Sequence, residues 1–317
     1  DFLEIHDPPR CSSLLSTVVL LPLILCTYLH ITSNMSSFDR ANEAVSFLTN
    51  SLPEGLRKPQ VAIVCGSGLG GLAETVQSEP RAEFDYTSIP HFPRPTVAGH
   101  AGKLVFGLLG QKIPAVLMVG RAHYYEGHSM EQVTFPIRVF KQLGVDTVVL
   151  TNAAGGLNSD YSVGDITLLN DHLFLAGLAG NHPLRGLNDE EFGVRFPPLS
   201  DAYDLDLRRH VHRAWKEITS ATPQTSRKLH EGVYAFVGGP HLRNKSRKPH
   251  ASNDGCRRAP VPRGDEQLLQ DKAAGELNAL LEEGKAGHEE VLEAGRAAAM
   301  DMQKLVVQTL VNVFGSA

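Results

Sequence analysis

Two spacings of apolar residues alternate along this chain. Short runs rich in β-branched residues recur at Val61–Val64, Leu104–Phe106, Ala115–Val119, Thr147–Leu150, Ile166–Leu169 and Val233–Val237. Most of them end in Gly or Asn, as buried strands do when they feed loops. Between them the apolar positions fall three or four apart. This predicts a helix on Ala41, Ala44, Val45 and Leu48, others over Met130–Leu143 and Asp204–Ile218, and a C-terminal amphipathic helix on Val291, Leu292, Ala298, Met302, Leu305, Val306 and Leu310. Strands alternating with helices predict an α/β fold, with one sheet covered by helices. No internal repeat interrupts the pattern.

The pattern fails in two places. From His241 to Arg263 there are seven Lys/Arg against one acid, Asp254, and few apolar residues, too few to bury the surface that ordering requires. Helical spacing then returns at Leu268, Leu269, Leu277, Leu280 and Leu281. Near the start, Leu14–Ile31 is apolar enough for a signal or anchor segment. However, Asp1, Glu4 and Asp7 precede it, Arg10 is the one Lys/Arg there, and the first methionine is Met35. Residues 1–34 are therefore expected to be non-native upstream sequence in preference to a membrane segment.

Charge and cysteine usage narrow the function. A net charge of −5 and a pI near 6.3 argue against nucleic acid as a main partner. The four cysteines, Cys11, Cys26, Cys65 and Cys256, are far apart and lack metal-ligand spacing, which suits a reducing cytoplasm.

Candidate chemistry sits where strands end. Gly66-Ser67-Gly68-Leu69-Gly70-Gly71 follows the first run, and its glycines allow main-chain N–H groups and the Ser67 hydroxyl to approach an anion. It also satisfies a dinucleotide-binding pattern, with Asp85 near the place of a ribose-binding acid, and a plain strand-closing turn explains it as well. Arg121-Ala122-His123-Tyr124-Tyr125-Glu126-Gly127-His128 gathers a cation, two imidazoles, two phenols and a carboxylate behind a strand. There an arginine can fork onto phosphate, an imidazole can share its proton, and a carboxylate can orient that imidazole. His100, in Gly99-His100-Ala101-Gly102, is a further loop histidine. Asn152-Ala153-Ala154-Gly155-Gly156 offers small residues, either for an oxyanion near the main chain or for close packing.

The order of these motifs, closed by Ser200-Asp201-Ala202-Tyr203-Asp204, resembles the trimeric purine nucleoside phosphorylases over roughly residues 42–240 and again from about Val261. The resemblance implies a single-domain nucleoside phosphorylase fold over residues 35–317, with a central, mostly mixed β-sheet flanked by helices and an aberrant basic segment at 241–260. It implies phosphorolysis of a purine nucleoside to the free base and (deoxy)ribose 1-phosphate, with inorganic phosphate as co-substrate and no metal or organic cofactor. It places Ser67, His100, Arg121, His123 and the main chain of Ala153 at phosphate, with Glu126 in support. Tyr125, Tyr234 and His288 fall at the nucleoside. Phe196 matches an aromatic that reaches into a neighbouring subunit's site, which implies a homotrimer. A methylthioadenosine phosphorylase, a catalytically silent phosphate-binding oligomer partner and an NAD-binding protein are the alternatives.

One stretch departs from the resemblance. After Gly238-Gly239-Pro240 it calls for Ser or Thr, then Phe or Tyr, then a base-binding Glu. This chain has His241, Leu242 and Arg243, and the later Thr-Asn pair of the base site has no counterpart. A set of codons for His241–Arg258, read one nucleotide later, spells Thr-Tyr-Glu-Thr-Ser-Arg-Glu-Ser-Arg-Met-Leu-Arg-Thr-Met-Gly-Ala-Asp, which continues the resemblance. The basic tract is thus expected to be out-of-frame sequence, with the frame restored near Pro260 and the purine site impaired.

Overall fold

The computed structural model describes residues 35–66, 69–96, 101–110, 112–158, 160–221, 227–239 and 288–315, with the side chains of 288–297 outside that description. The apolar run before Met35, the basic tract, the leucines at 268–281, Ser67, His100 and the side chain of His288 all lie outside the described residues.

The first element is α1 (Ser37–Ser51). Ser36 caps it by accepting from the Asp39 amide at 3.0 Å, and Asp39 sits favourably in the first turn. Its buried stripe, Ala41, Ala44 and Leu48, follows the predicted spacing. It stops at Leu52 because Pro53 pushes the preceding residue into extended backbone (φ −87°, ψ 142°).

Five strands form the main sheet: β1 (Val61–Cys65), β2 (Arg81–Asp85), β3 (Lys103–Leu109), β4 (Ile113–Val119) and β5 (Thr147–Leu150). Their order is β2-β3-β4-β1-β5, with β1 parallel to β4 and β5 and the β2-β3-β4 ladder antiparallel, so the sheet is mixed. Every residue of β1 is buried, as a central parallel strand requires. One apolar core, with Ala62, Val64, Val116, Met118 and Phe106, lies under α1 and α2 (Met130–Gln142). The other, with Val61, Ile63, Leu117 and Val105, meets Val306 and Leu310 of α4 (His288–Phe314). Helix α2 starts in a capping box between Ser129 and Gln132 and ends before Gly144, whose φ of 88° suits glycine.

Two departures from the sequence reading have physical causes. Strand β2 was not anticipated. It is a mostly polar edge strand whose Ala82 and Phe84 pack against the core, while Arg81, Glu83 and Lys103 pair on its outer face at 2.6 Å. The single expected sheet is, among the described residues, two. The strands β6 (Ile166–Phe174) and β7 (Leu229–Phe236) pair in parallel apart from the main five. They are covered by Ala214 and Trp215 of α3 (Leu205–Ala221) and by Leu305 of α4. Among the described residues no helix is long and apolar enough to cross a membrane.

Candidate active site

Strands β4, β1 and β5 are parallel neighbours, so their C-terminal ends deliver three loops to one edge, where open α/β sheets bind ligands. The registers Cys65↔Val119 and Val64↔Leu150 set Gly66, Gly120 and Thr151 side by side. Thr151, 6% exposed, joins them. Its amide and its hydroxyl both donate to the Val64 carbonyl, at 3.1 and 2.9 Å. The same hydroxyl accepts from the Gly66 amide at 2.9 Å, and the Thr151 carbonyl accepts from Arg121 Nη1 at 2.6 Å. The approach is close enough that a Cβ on Gly66 would lie 2.4 Å from the Thr151 carbonyl oxygen. From the other side, the buried Tyr86 hydroxyl donates to the Gly120 carbonyl at 2.6 Å.

The loop after β4 is a short turn knotted by Glu126, whose side chain is 2% exposed. Its carboxylate accepts from the His123 amide at 2.7 Å, meets His123 Nδ1 at 2.6 Å, and accepts from the Thr96 hydroxyl at 2.6 Å and the Thr96 amide. Gly127 closes the turn at φ 93°. Burial alone would raise the Glu126 pKa, but the donors from Thr96 and His123 outweigh it and bring it down to about 2. His123 is shifted down, chiefly by burial and against the pull of Glu126. Burial also lowers the Arg121 pKa, while Tyr234 and Tyr125 act in the opposite direction.

The carboxylate favours the His123 tautomer with the proton on Nδ1, which turns the Nε2 edge away from Glu126. The His123 ring stacks on Tyr125 with centroids 4.8 Å apart. Gly238, just beyond β7, abuts the ring of Tyr124, which brings the end of β7 against this loop.

Arg121, His123, Tyr125, Glu126 and Tyr234 therefore come together, with the exposed Ala153 two residues beyond Thr151 on the same edge. Phe196 stands apart. It is 87% exposed, in a segment with Leu187, Val194 and Leu199 also turned outward. Asp85 does not fit the ribose of a dinucleotide, because β2 is the antiparallel edge strand with β3 and β4 between it and β1. At ~4.8 Å per strand that is about 14 Å across the sheet. Sequence reading missed Thr151, Thr96 and Tyr86. Thr151 left a signal, a hydroxyl at the end of an apolar strand and directly before Asn152.

The sequence profile of the Phosphorylase superfamily matches residues 60–258. The purine nucleoside phosphorylase of Rattus norvegicus is 48% identical over 263 residues, covering 78% of this chain and 87% of that protein. That of Bos taurus is 43% identical over 271 residues, covering 81% and 90%. Among solved structures, a schistosoma purine nucleoside phosphorylase in complex with hypoxanthine aligns with a TM-score of 0.67 at 31% identity, covering 87% of this chain and 98% of the other. Mixed sheet, loop cluster and these likenesses agree: the chain belongs to the Phosphorylase superfamily, among the purine nucleoside phosphorylases.

Proposed function

We propose that this chain catalyses phosphorolysis of purine nucleosides, taking inorganic phosphate at the edge formed by Arg121, His123 and the Ala153 amide. The observation that carries this is the half-buried Arg121 beside a His123–Glu126 pair, held at the end of a parallel strand. Burial makes the guanidinium costly to keep charged, and an arriving phosphate offsets that cost. It can also take up the fork of donors on the arginine.

In the reaction, a phosphate oxygen forms a bond to the anomeric carbon as the bond to the purine nitrogen breaks. The bonding electrons leave with the base, which takes up a proton. Positive charge develops on the sugar in between, and the fixed phosphate stabilises it. Glu126 holds His123 in one tautomer so that the ring faces the anion in a set orientation. Tyr125 and Tyr234, both close enough to act on Arg121 electrostatically, border the sugar. Ser67, His100 and His288 complete the site by resemblance. No metal or organic cofactor takes part in this scheme, and its setting is the cytoplasm. The outward Phe196 and its apolar neighbours support a homotrimer in which Phe196 enters the adjacent subunit's site.

Thermal unfolding with and without inorganic phosphate tests the phosphate site. Phosphate is expected to raise the melting temperature, and Arg121→Ala to abolish the rise. Equal protection of the variant would count against the assignment.

A further inference from the structure

Among the described residues, the serines and threonines buried as whole residues are Ser37, Thr151 and Thr309. Among the described residues the hydroxyls of Ser37 and Thr309 have no hydrogen-bond partner, whereas that of Thr151 both donates and accepts. Its partners belong to the exit of β1, and the carbonyl of the same residue receives Arg121. The peptide that follows leads through Asn152 to Ala153. Groups from all three loops at this edge therefore refer to one residue.

We infer that Thr151 is a positioning residue for phosphate, its hydroxyl and carbonyl setting the mutual placement of the Gly66, Arg121 and Ala153 loops. The inference rests on the phosphate site proposed above. The hydroxyl fixes the plane of the peptide entering Gly66, directly before Ser67 in the chain. The carbonyl fixes one nitrogen of the guanidinium, and with it the direction in which the other donors point. An anion held by donors from separate loops needs them in place together, and a misplacement of ~1 Å can cost about a hundredfold in function. Strand pairing alone leaves this freedom. The Thr151 amide would still reach Val64 with any side chain in place, but the Gly66 amide has this hydroxyl as its acceptor.

The test compares Thr151→Val, which keeps the β-branched shape without the hydroxyl, and Thr151→Ser, which keeps the hydroxyl. The readout is the Kd for inorganic phosphate, measured by titration calorimetry on the full-length folded chain, with the melting temperature without phosphate recorded alongside. Arg121→Ala serves as the control for the site. Thr151→Val is expected to weaken phosphate binding roughly tenfold to a hundredfold, and Thr151→Ser to stay within about threefold of the parent. A merely structural role would lower the melting temperature without moving the Kd of the folded protein.

Parent-like phosphate binding in Thr151→Val, with binding lost in Arg121→Ala, would overturn the inference and leave the site standing. Parent-like binding in Arg121→Ala would remove both. Equal losses in the Ser and Val variants would also overturn it, since the hydroxyl would then be irrelevant. If Thr151→Val does not fold, Thr151→Ala, which also lacks the hydroxyl, decides by the same criterion.

Discussion

Glu126→Gln preserves shape and volume while removing one charge and one acceptor oxygen. The native carboxylate divides its work: one oxygen takes the amide and hydroxyl of Thr96, the other the amide and ring nitrogen of His123. A carboxamide has a single oxygen. Its NH2 must therefore face either the Thr96 amide or the His123 amide, and it leaves that N–H orphaned. The orphan costs about 1–3 kcal/mol.

A second, overlapping estimate comes from ionisation. The carboxyl falls from an ordinary 4.5 to about 2 on folding. At ~1.4 kcal/mol per tenfold change in proton affinity, the ionised group contributes about 3 kcal/mol at neutral pH. Because the side chain is 2% exposed, solvent screening takes little from this figure. A carboxyl depressed in the folded state stabilises fully above its unfolded value, and that contribution is lost as pH falls through the folded value. Urea unfolding should thus show the variant about 3 kcal/mol less stable at pH 7. The gap should narrow steadily from about pH 4.5 toward pH 2, where the native group is itself half protonated. Equal stability at pH 7, or a gap indifferent to pH, would refute the role given to the knot.

Two further outcomes are expected. Arg138→Ala removes an ion pair to Asp189 at 2.8 Å and a cation seated 4.8 Å over the Phe192 ring, at a cost of about 1 kcal/mol; the segment bearing Phe196 should loosen, so that trypsin cuts after Arg185 and Arg195 several-fold faster, and unchanged cleavage would sink the idea. Because His241, Leu242 and Arg243 stand where the resemblance places the base-site residues, inosine phosphorolysis should run roughly 10²–10³ slower than in a relative that carries that glutamate; a coupled assay showing parity would refute this, and sequencing the gene under His241–Arg258 should find Thr-Tyr-Glu in the next frame.

Much of this arrangement is local and therefore legible in the sequence. Apolar β-branched runs locate β1 and β4, because a strand buried on both faces has little alternative composition, and a like run locates β5, although its Val148 and Leu150 are exposed. Spacing on Ala41, Ala44 and Leu48 locates α1, and the proline at 53 marks its end. Arg121, His123 and Glu126 lie within six residues behind a strand, so their meeting is a matter of one turn. Even the polar edge strand β2 left a trace, since Ala82 and Phe84 alternate with Arg81, Glu83 and Asp85.

What the chain's order did not reveal depends on which strands lie side by side. Period alone assigns residues to strands, but pairing is a long-range choice, and here it separates β6 and β7 from the other five. That same choice sets aside Asp85 and the dinucleotide reading, because β3 and β4 intervene. It also brings Thr96 to Glu126 across thirty residues, and Thr151 to Gly66 across eighty-five. Residue types alone identify candidate donors for an anion. Only the order β4-β1-β5 determines that three loops share an edge, since a buried amide at the end of one strand must find its acceptor on whichever strand the fold has placed beside it.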